Sequence, residues 1–189
     1  MHMIIGITGT NGSGKGTVVD YLAREKGFAH YSVRDFLTEE LVKQGKIVDR
    51  SEMRLLANQF RATKDPAFII RTLYEQAMSA GATNAVIESV RNVGEATFLK
   101  SAGVFLLAVD ADQHTRFERV QERRSATDQV DFQTFVHHEE REMNPEGPHD
   151  MDVRGVMALA DATIENNTTK EVLHTAVEGI LALLSQSGK

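Results

Sequence analysis

The sequence contains no cysteine, no tryptophan and only three prolines among its 189 residues. The missing thiols exclude a disulfide framework, a thiolate nucleophile, a redox pair and thiolate zinc sites. A basic surplus is missing as well: 21 lysines and arginines stand against 27 acids, for a formal charge of −6 at pH 7. Binders of long nucleic acids carry a basic face, so no nucleic-acid partner is expected. No apolar run reaches the roughly 18 residues of a membrane span. Nor do the first residues show a basic flank leading into an apolar signal segment. A cytoplasmic protein without a membrane partner is the expectation. With 41% hydrophobic residues, a chain of this length hides roughly 70% of its unfolded surface without a metal or disulfide staple. One domain over 1–189 is expected, and the sequence leaves the oligomeric state open.

Acidity is concentrated in residues 110–152, which hold five arginines, no lysine and twelve acids. Arginines embedded in an acidic helical segment suit a small anion better than a polymer. Apolar runs at 4–8, 84–88 and 104–109, with shorter ones at 28–31 and 162–165, predict five strands. Helical spacing predicts helices after the first run and over 35–44, 51–63, 66–80, 94–101, 112–124, 132–142, 153–160 and 168–184, with Ser32 an N-cap and Pro66 in the first turn of its helix. Asn144-Pro145-Glu146-Gly147-Pro148 breaks any helix. Strands alternating with helices imply parallel crossovers and an α/β layered fold.

Chemistry enters at Gly9-Thr10-Asn11-Gly12-Ser13-Gly14-Lys15-Gly16-Thr17, between an apolar strand and an amphipathic helix. This spacing satisfies the phosphate-binding loop: glycines let inward N–H groups cradle phosphate, the helix start adds its dipole, and Lys15 adds a full charge. The hydroxyl usually beside the lysine is displaced to Thr17 by Gly16. Gly12 to Thr17 resembles the loop of adenylate kinase and related nucleoside monophosphate kinases. Three further segments add to the resemblance by their order. Ser32-Val33-Arg34-Asp35-Phe36-Leu37 is similar to the family's Ser-x-Gly-Asp-x-Leu-Arg, and Glu88-Ser89-Val90-Arg91 to its Asp-Gly-x-(Pro)-Arg. Ala160 to Asn167 resembles a terminal segment of dephospho-CoA kinases and of small adenylate-kinase-like proteins. The family arginine of the first segment falls on Thr38 here, where Arg34 is the candidate replacement.

The resemblance implies a P-loop NTPase three-layer fold: a five-stranded parallel sheet, a helical acceptor-binding insertion over about 32–80 and a short lid over about 125–150. It implies ATP with Mg2+ as donor and a small nucleotide as acceptor. ATP would be held by Gly9, Asn11, Gly12, Ser13, Gly14, Lys15, Gly16 and Thr17, with Arg119, Arg123 and Asn167. Lys15, Arg124 and Arg141 would serve the transferred phosphoryl group, because guanidinium forks bind its oxygens bidentately. The competing role of the helical arginines is pairing with Glu118, Glu122 or Glu140. Arg34, Asp35, Arg61, Arg71, Glu88 and Arg91 are acceptor candidates. Thr17 and Glu88 are metal candidates, the latter at a strand end where open α/β sheets bind ligands. Adjacent histidines His137 and His138 point to different helix faces and read as surface residues.

Asp35 separates two chemistries. A nucleoside monophosphate oxygen is already anionic, whereas a sugar hydroxyl, as in dephospho-CoA, calls for a base. An ordinary acid at a helix start is its other reading. The sequence thus predicts an ATP-dependent phosphotransferase, first to a nucleoside monophosphate and second to a dephospho-CoA-like hydroxyl. A regulatory nucleotide-binding ATPase without a small acceptor is the rival from another class.

Overall fold

In strand β1, Met3–Gly9, every residue from Ile4 onward is buried, because the strand has a neighbour on each side and helices on both faces. That double burial is why it reads as a continuous apolar run rather than an alternating one. The computed structural model describes residues 3–123 and 130–186. The remaining strands are β2 (Ala29–Ser32), β3 (Asn84–Glu88), β4 (Phe105–Asp110) and β5 (Ala162–Glu165), in the order β2-β3-β1-β4-β5. Each pair is parallel. All five C-terminal strand ends therefore face one edge, where a ligand crevice forms.

The helices are α1 (Lys15–Glu25), α2 (Val33–Lys43), α3 (Arg50–Thr63), α4 (Phe68–Ser79), α5 (Val93–Ser101), α6 (Gln113–Glu122), α7 (Phe132–Met143), α8 (Val153–Ala158) and α9 (Lys170–Gln186). On one face of the sheet, Ile4, Ala85, Ile87 and Leu106 pack with Leu37, Leu41, Leu56, Ile69, Ile70 and Leu99. On the other, Ile5, Ile7, Leu107 and Val109 pack with Val18, Val19 and Leu22 of α1 and Leu173 and Val177 of α9. Alternate residues of one strand thus serve two cores.

Two expectations need adjustment. Pro66 lies outside α4, which starts at Phe68, because Asp65 Oδ1 accepts the Ala67 N–H at 2.8 Å and holds a turn there. Helix α2 starts at Val33, before the expected Asp35, since Ser32 caps it by accepting the Asp35 N–H at 3.2 Å. The insertion between β2 and β3 consists of α2, α3 and α4, and Leu37, Leu56 and Ile70 anchor it in the first core. Of the segment expected as a lid, residues from 130 onward are described and contain α7; 125–129 lie outside the described residues.

Candidate active site

The loop leaving β1 closes against β4. Gly9 has a φ of +133°, and a Cβ there would lie 1.9 Å from the Val109 carbonyl oxygen. Gly14 has a φ of +100°, and its Cβ would lie 2.3 Å from Asn166 Nδ2. A side chain at either place is excluded by conformation and by space. Gly16 differs, since a Cβ there meets nothing within 4 Å. The displaced hydroxyl of Thr17 is thus no consequence of crowding.

Three braces hold the loop. Thr10 Oγ1 donates to Asp110 Oδ1 at 2.5 Å, tying it to the end of β4. Asn166 Nδ2 donates to the Ser13 carbonyl at 2.8 Å, while the Asn166 N–H bonds the Asp110 carbonyl at 2.7 Å. Lys15 Nζ folds inward and donates to the carbonyls of Gly9 at 2.9 Å and Thr10 at 2.5 Å. Burial, and then the Arg91 guanidinium, push the Lys15 ammonium down to about 7 against the opposing pull of Glu142.

Beside the loop, Arg119 Nη1 donates to the Asn166 carbonyl at 2.8 Å and Asn167 Oδ1 accepts the Asp112 N–H at 2.7 Å. Arg123 Nη2 reaches Asn11 Oδ1 at 3.1 Å. These cofactor candidates therefore share one wall with the phosphate loop. Ser13 Oγ is buried without a hydrogen-bond partner. An orphaned hydroxyl inside a glycine cradle, with a lysine and a helix start at its mouth, suits a nucleotide phosphate.

On the opposite side, the ends of β2 and β3 converge. Ser32 Oγ donates to Glu88 Oε1 at 2.9 Å, and His30 Nε2 lies 3.6 Å from Glu88 Oε2. Burial pushes the Glu88 carboxyl up, but the bonds from His30 and Ser32 and the nearby Lys15 charge outweigh it and hold the group below its ordinary range. The bond to Glu88 raises His30 in turn, against burial. Arg34 and Asp35 are exposed on the first turn of α2. Thr8 Oγ1 donates to the Val90 carbonyl at 2.8 Å, and the Val90 N–H bonds the Ile7 carbonyl at 3.0 Å, which ties the Ser89 turn to β1 and sets Arg91 beside the loop.

Arg91 does not pair with Glu88. Its Nη1 donates to Glu142 Oε2 at 2.8 Å, and Arg50 Nη2 donates to Glu142 Oε1 at 2.7 Å. Neither Arg50 nor Glu142 was among the sequence candidates. On α7 it is Glu142 that turns inward, whereas the expected Arg141 is exposed with no hydrogen bond or ion pair among the described residues. Arg124 lies outside the described residues.

The structure takes Arg61 away from the acceptor side. It is 3% exposed, and its Nε and Nη2 donate to Glu95 Oε1 at 3.0 and 2.8 Å. A buried guanidinium needs a buried carboxylate, and this pair ties α3 to α5 inside the core. Arg71 lies with its guanidinium 4.3 Å from the Phe98 ring centroid and 3.5 Å from Asp65, on the flank of α4 against α5. No group of three His, Cys, Asp or Glu side chains among the described residues could hold a metal ion. Thr17 and Glu88 remain the groups that would hold Mg2+, which keeps several waters and needs few protein ligands.

A family model described as an AAA domain matches residues 5–147. The chain is 30% identical to a UPF0200 protein of Methanococcus vannielii over 169 residues, covering 86% of each chain. A UPF0200 protein of Staphylothermus marinus is 28% identical, with 96% of this chain and 92% of that one covered. Among solved structures, TT1252 from Thermus thermophilus superposes with a TM-score of 0.60 at 25% identity, covering 97% of this chain and 98% of that one. Shikimate kinase from Acinetobacter baumannii, in complex with shikimate, gives a TM-score of 0.58 at 14% identity, covering 96% and 94%, a likeness of fold. No helix among the described residues is long and apolar enough to cross a membrane. With its five-stranded parallel sheet, phosphate loop and matched span of 5–147, the chain belongs to the AAA domain family, with a P-loop kinase-like fold and UPF0200 proteins as its relatives.

Proposed function

We propose that the protein is a phosphotransferase that moves the γ-phosphoryl group of ATP to a nucleoside monophosphate. The observation that carries this reading is the convergence of Lys15, Arg50 and Arg91, from the phosphate loop, the start of α3 and the β3–α5 turn, beside one carboxylate at the sheet edge. Three cations from three elements suit a donor phosphate and an acceptor phosphate held side by side, and phosphoryl transfer asks a protein mainly for positioning and positive charge.

In this reading an acceptor phosphate oxygen forms the new bond to Pγ, the bond from Pγ to the β–γ bridging oxygen breaks, and ADP leaves. The loop N–H groups and Lys15 bind the donor phosphates, Arg119, Arg123 and Asn167 border the rest of the nucleotide, and Arg34, Asp35 and Arg91 meet the acceptor. Mg2+, held by Thr17 and Glu88, would offset charge between the phosphates. No base is needed, since the acceptor oxygen is anionic at neutral pH.

A hydroxyl acceptor is the second reading. It is favoured by the Asp35 carboxylate, which is exposed and makes no hydrogen bond or ion pair among the described residues, as a base awaiting a hydroxyl would be. Incubation with ATP, Mg2+ and a panel of nucleoside monophosphates, dephospho-CoA and small sugar hydroxyls decides between them. A phosphorylated monophosphate is the expected product, and Lys15→Ala should lower its rate on the order of 10²-fold or more. ADP without any phosphorylated acceptor would replace the transferase with a regulatory ATPase.

A further inference from the structure

Glu142 sits where a kinase of this reading would want its substrate's anion. It is 8% exposed, it belongs to α7, and its two oxygens are divided between Arg50 on α3 and Arg91 after β3. The fully enclosed Arg61–Glu95 pair has side chains 3% and 1% exposed, but the Arg50 and Arg91 side chains keep 48% and 25% exposure. The first pair is packing; the second lies at an open edge that a solute can reach. Thr10, Asn11, Arg50, His138, Glu142 and Met143 line one small cavity there, between the phosphate loop and α7. Without an anion, Arg50 and Arg91 would face one another as like charges, and Glu142 offsets them from within the chain.

We propose that Glu142 is a specificity-determining residue, an internal competitor that only a dianionic phosphate displaces from Arg50 and Arg91. The proposal rests on the transferase reading above and narrows its acceptor class. A monocarboxylate would exchange one carboxylate for another and gain nothing, and a neutral hydroxyl compound would leave the two guanidinium groups with Glu142. A phosphate dianion brings one further charge to the same donors and releases α7, the helix that carries the competitor.

The test uses inorganic phosphate and acetate at pH 7.5, without ATP, on the full chain carrying Lys15→Ala, which removes the full charge of the phosphate loop; exchange across α7 then separates binding at Arg50 and Arg91 from binding in the loop. Phosphate is expected to bind and to speed amide hydrogen exchange across 132–143, while acetate at the same concentration does neither. Adding Glu142→Gln should tighten phosphate by about tenfold or more and make acetate binding measurable. Adding Arg50→Gln instead should weaken phosphate by a similar factor. Unaltered exchange in α7 at saturating phosphate, or a Glu142→Gln chain that binds phosphate no better, overturns the proposal. The exchange measurement requires no change at Glu142, so it decides even where Glu142→Gln fails to fold. Because no turnover is read in this test, it is independent of the transferase reading: a Lys15→Ala chain that passes while the parent chain phosphorylates nothing would refute the transferase and leave the competitor standing.

Discussion

Lys15 is held near the middle of the physiological pH range by burial and by Arg91, at about 7. At pH 8 this lysine is therefore mostly a neutral amine. A nucleotide triphosphate brings negative charge to it and restores the ammonium. Binding of ATP at pH 8 should take up close to one proton, whereas at pH 6 the lysine is already charged and this uptake should vanish. Titration calorimetry in two buffers of different ionisation enthalpy measures it, and equal uptake at both pH values would contradict the assignment. The same depression acts on folding. Between about 7 and the ordinary lysine value the unfolded chain binds the extra proton, so this group's contribution favours the native state increasingly as pH rises through that window and is least favourable below it. The loop was legible in the sequence because its spacing is local, seven residues that need one another and nothing else. Glu142 was not, since Arg50 and Arg91 are 92 and 51 positions away. The available signal was that Phe135, Glu139 and Glu142 recur on one helical face, placing two acids beside a buried aromatic.

Between elements, the bond of α3 to α5 depends on an ion pair that sequence reading assigned to the acceptor. Arg61 and Glu95 are 34 residues apart, and nothing local shows that the two charges meet in the core. Arg61→Ala would strand Glu95, although its Oε2 keeps the N–H groups of Arg91 and Asn92 at 2.8 and 3.1 Å. Those remaining donors point to the lower end of the ~3–5 kcal/mol typical of a broken buried pair. Urea unfolding should show this loss, with the acceptor KM of the folded fraction near that of the parent chain. A large KM increase with unchanged stability would return Arg61 to the acceptor site. The strands themselves were readable, since their apolar runs and bounding Gly and Asp residues are contiguous. Their lateral order was not, because parallel neighbours are joined by long crossovers whose pairing is decided by packing.

Across the whole molecule, Asn166 links the last strand to the first loop over 153 positions of chain. In the segment Ala160 to Asn167, which carries part of the family resemblance, Asn166 clamps Ser13 and receives Arg119 on its carbonyl. Asn166→Ala should leave the Ser13 carbonyl without its partner, cost about 1–3 kcal/mol, lower Tm by several degrees and weaken nucleotide binding together. A change in binding without a change in Tm would mean that the side chain touches the nucleotide rather than the loop.

The inward lysine has a kinetic meaning too. By donating to the carbonyls of Gly9 and Thr10, Lys15 ties its side chain back onto the start of the loop. With the loop also braced through Thr10 and Ser13, an arriving nucleotide swings one flexible side chain outward instead of folding a segment. Association is then governed by encounter and electrostatic steering, and discrimination between nucleotides falls to how long each one stays.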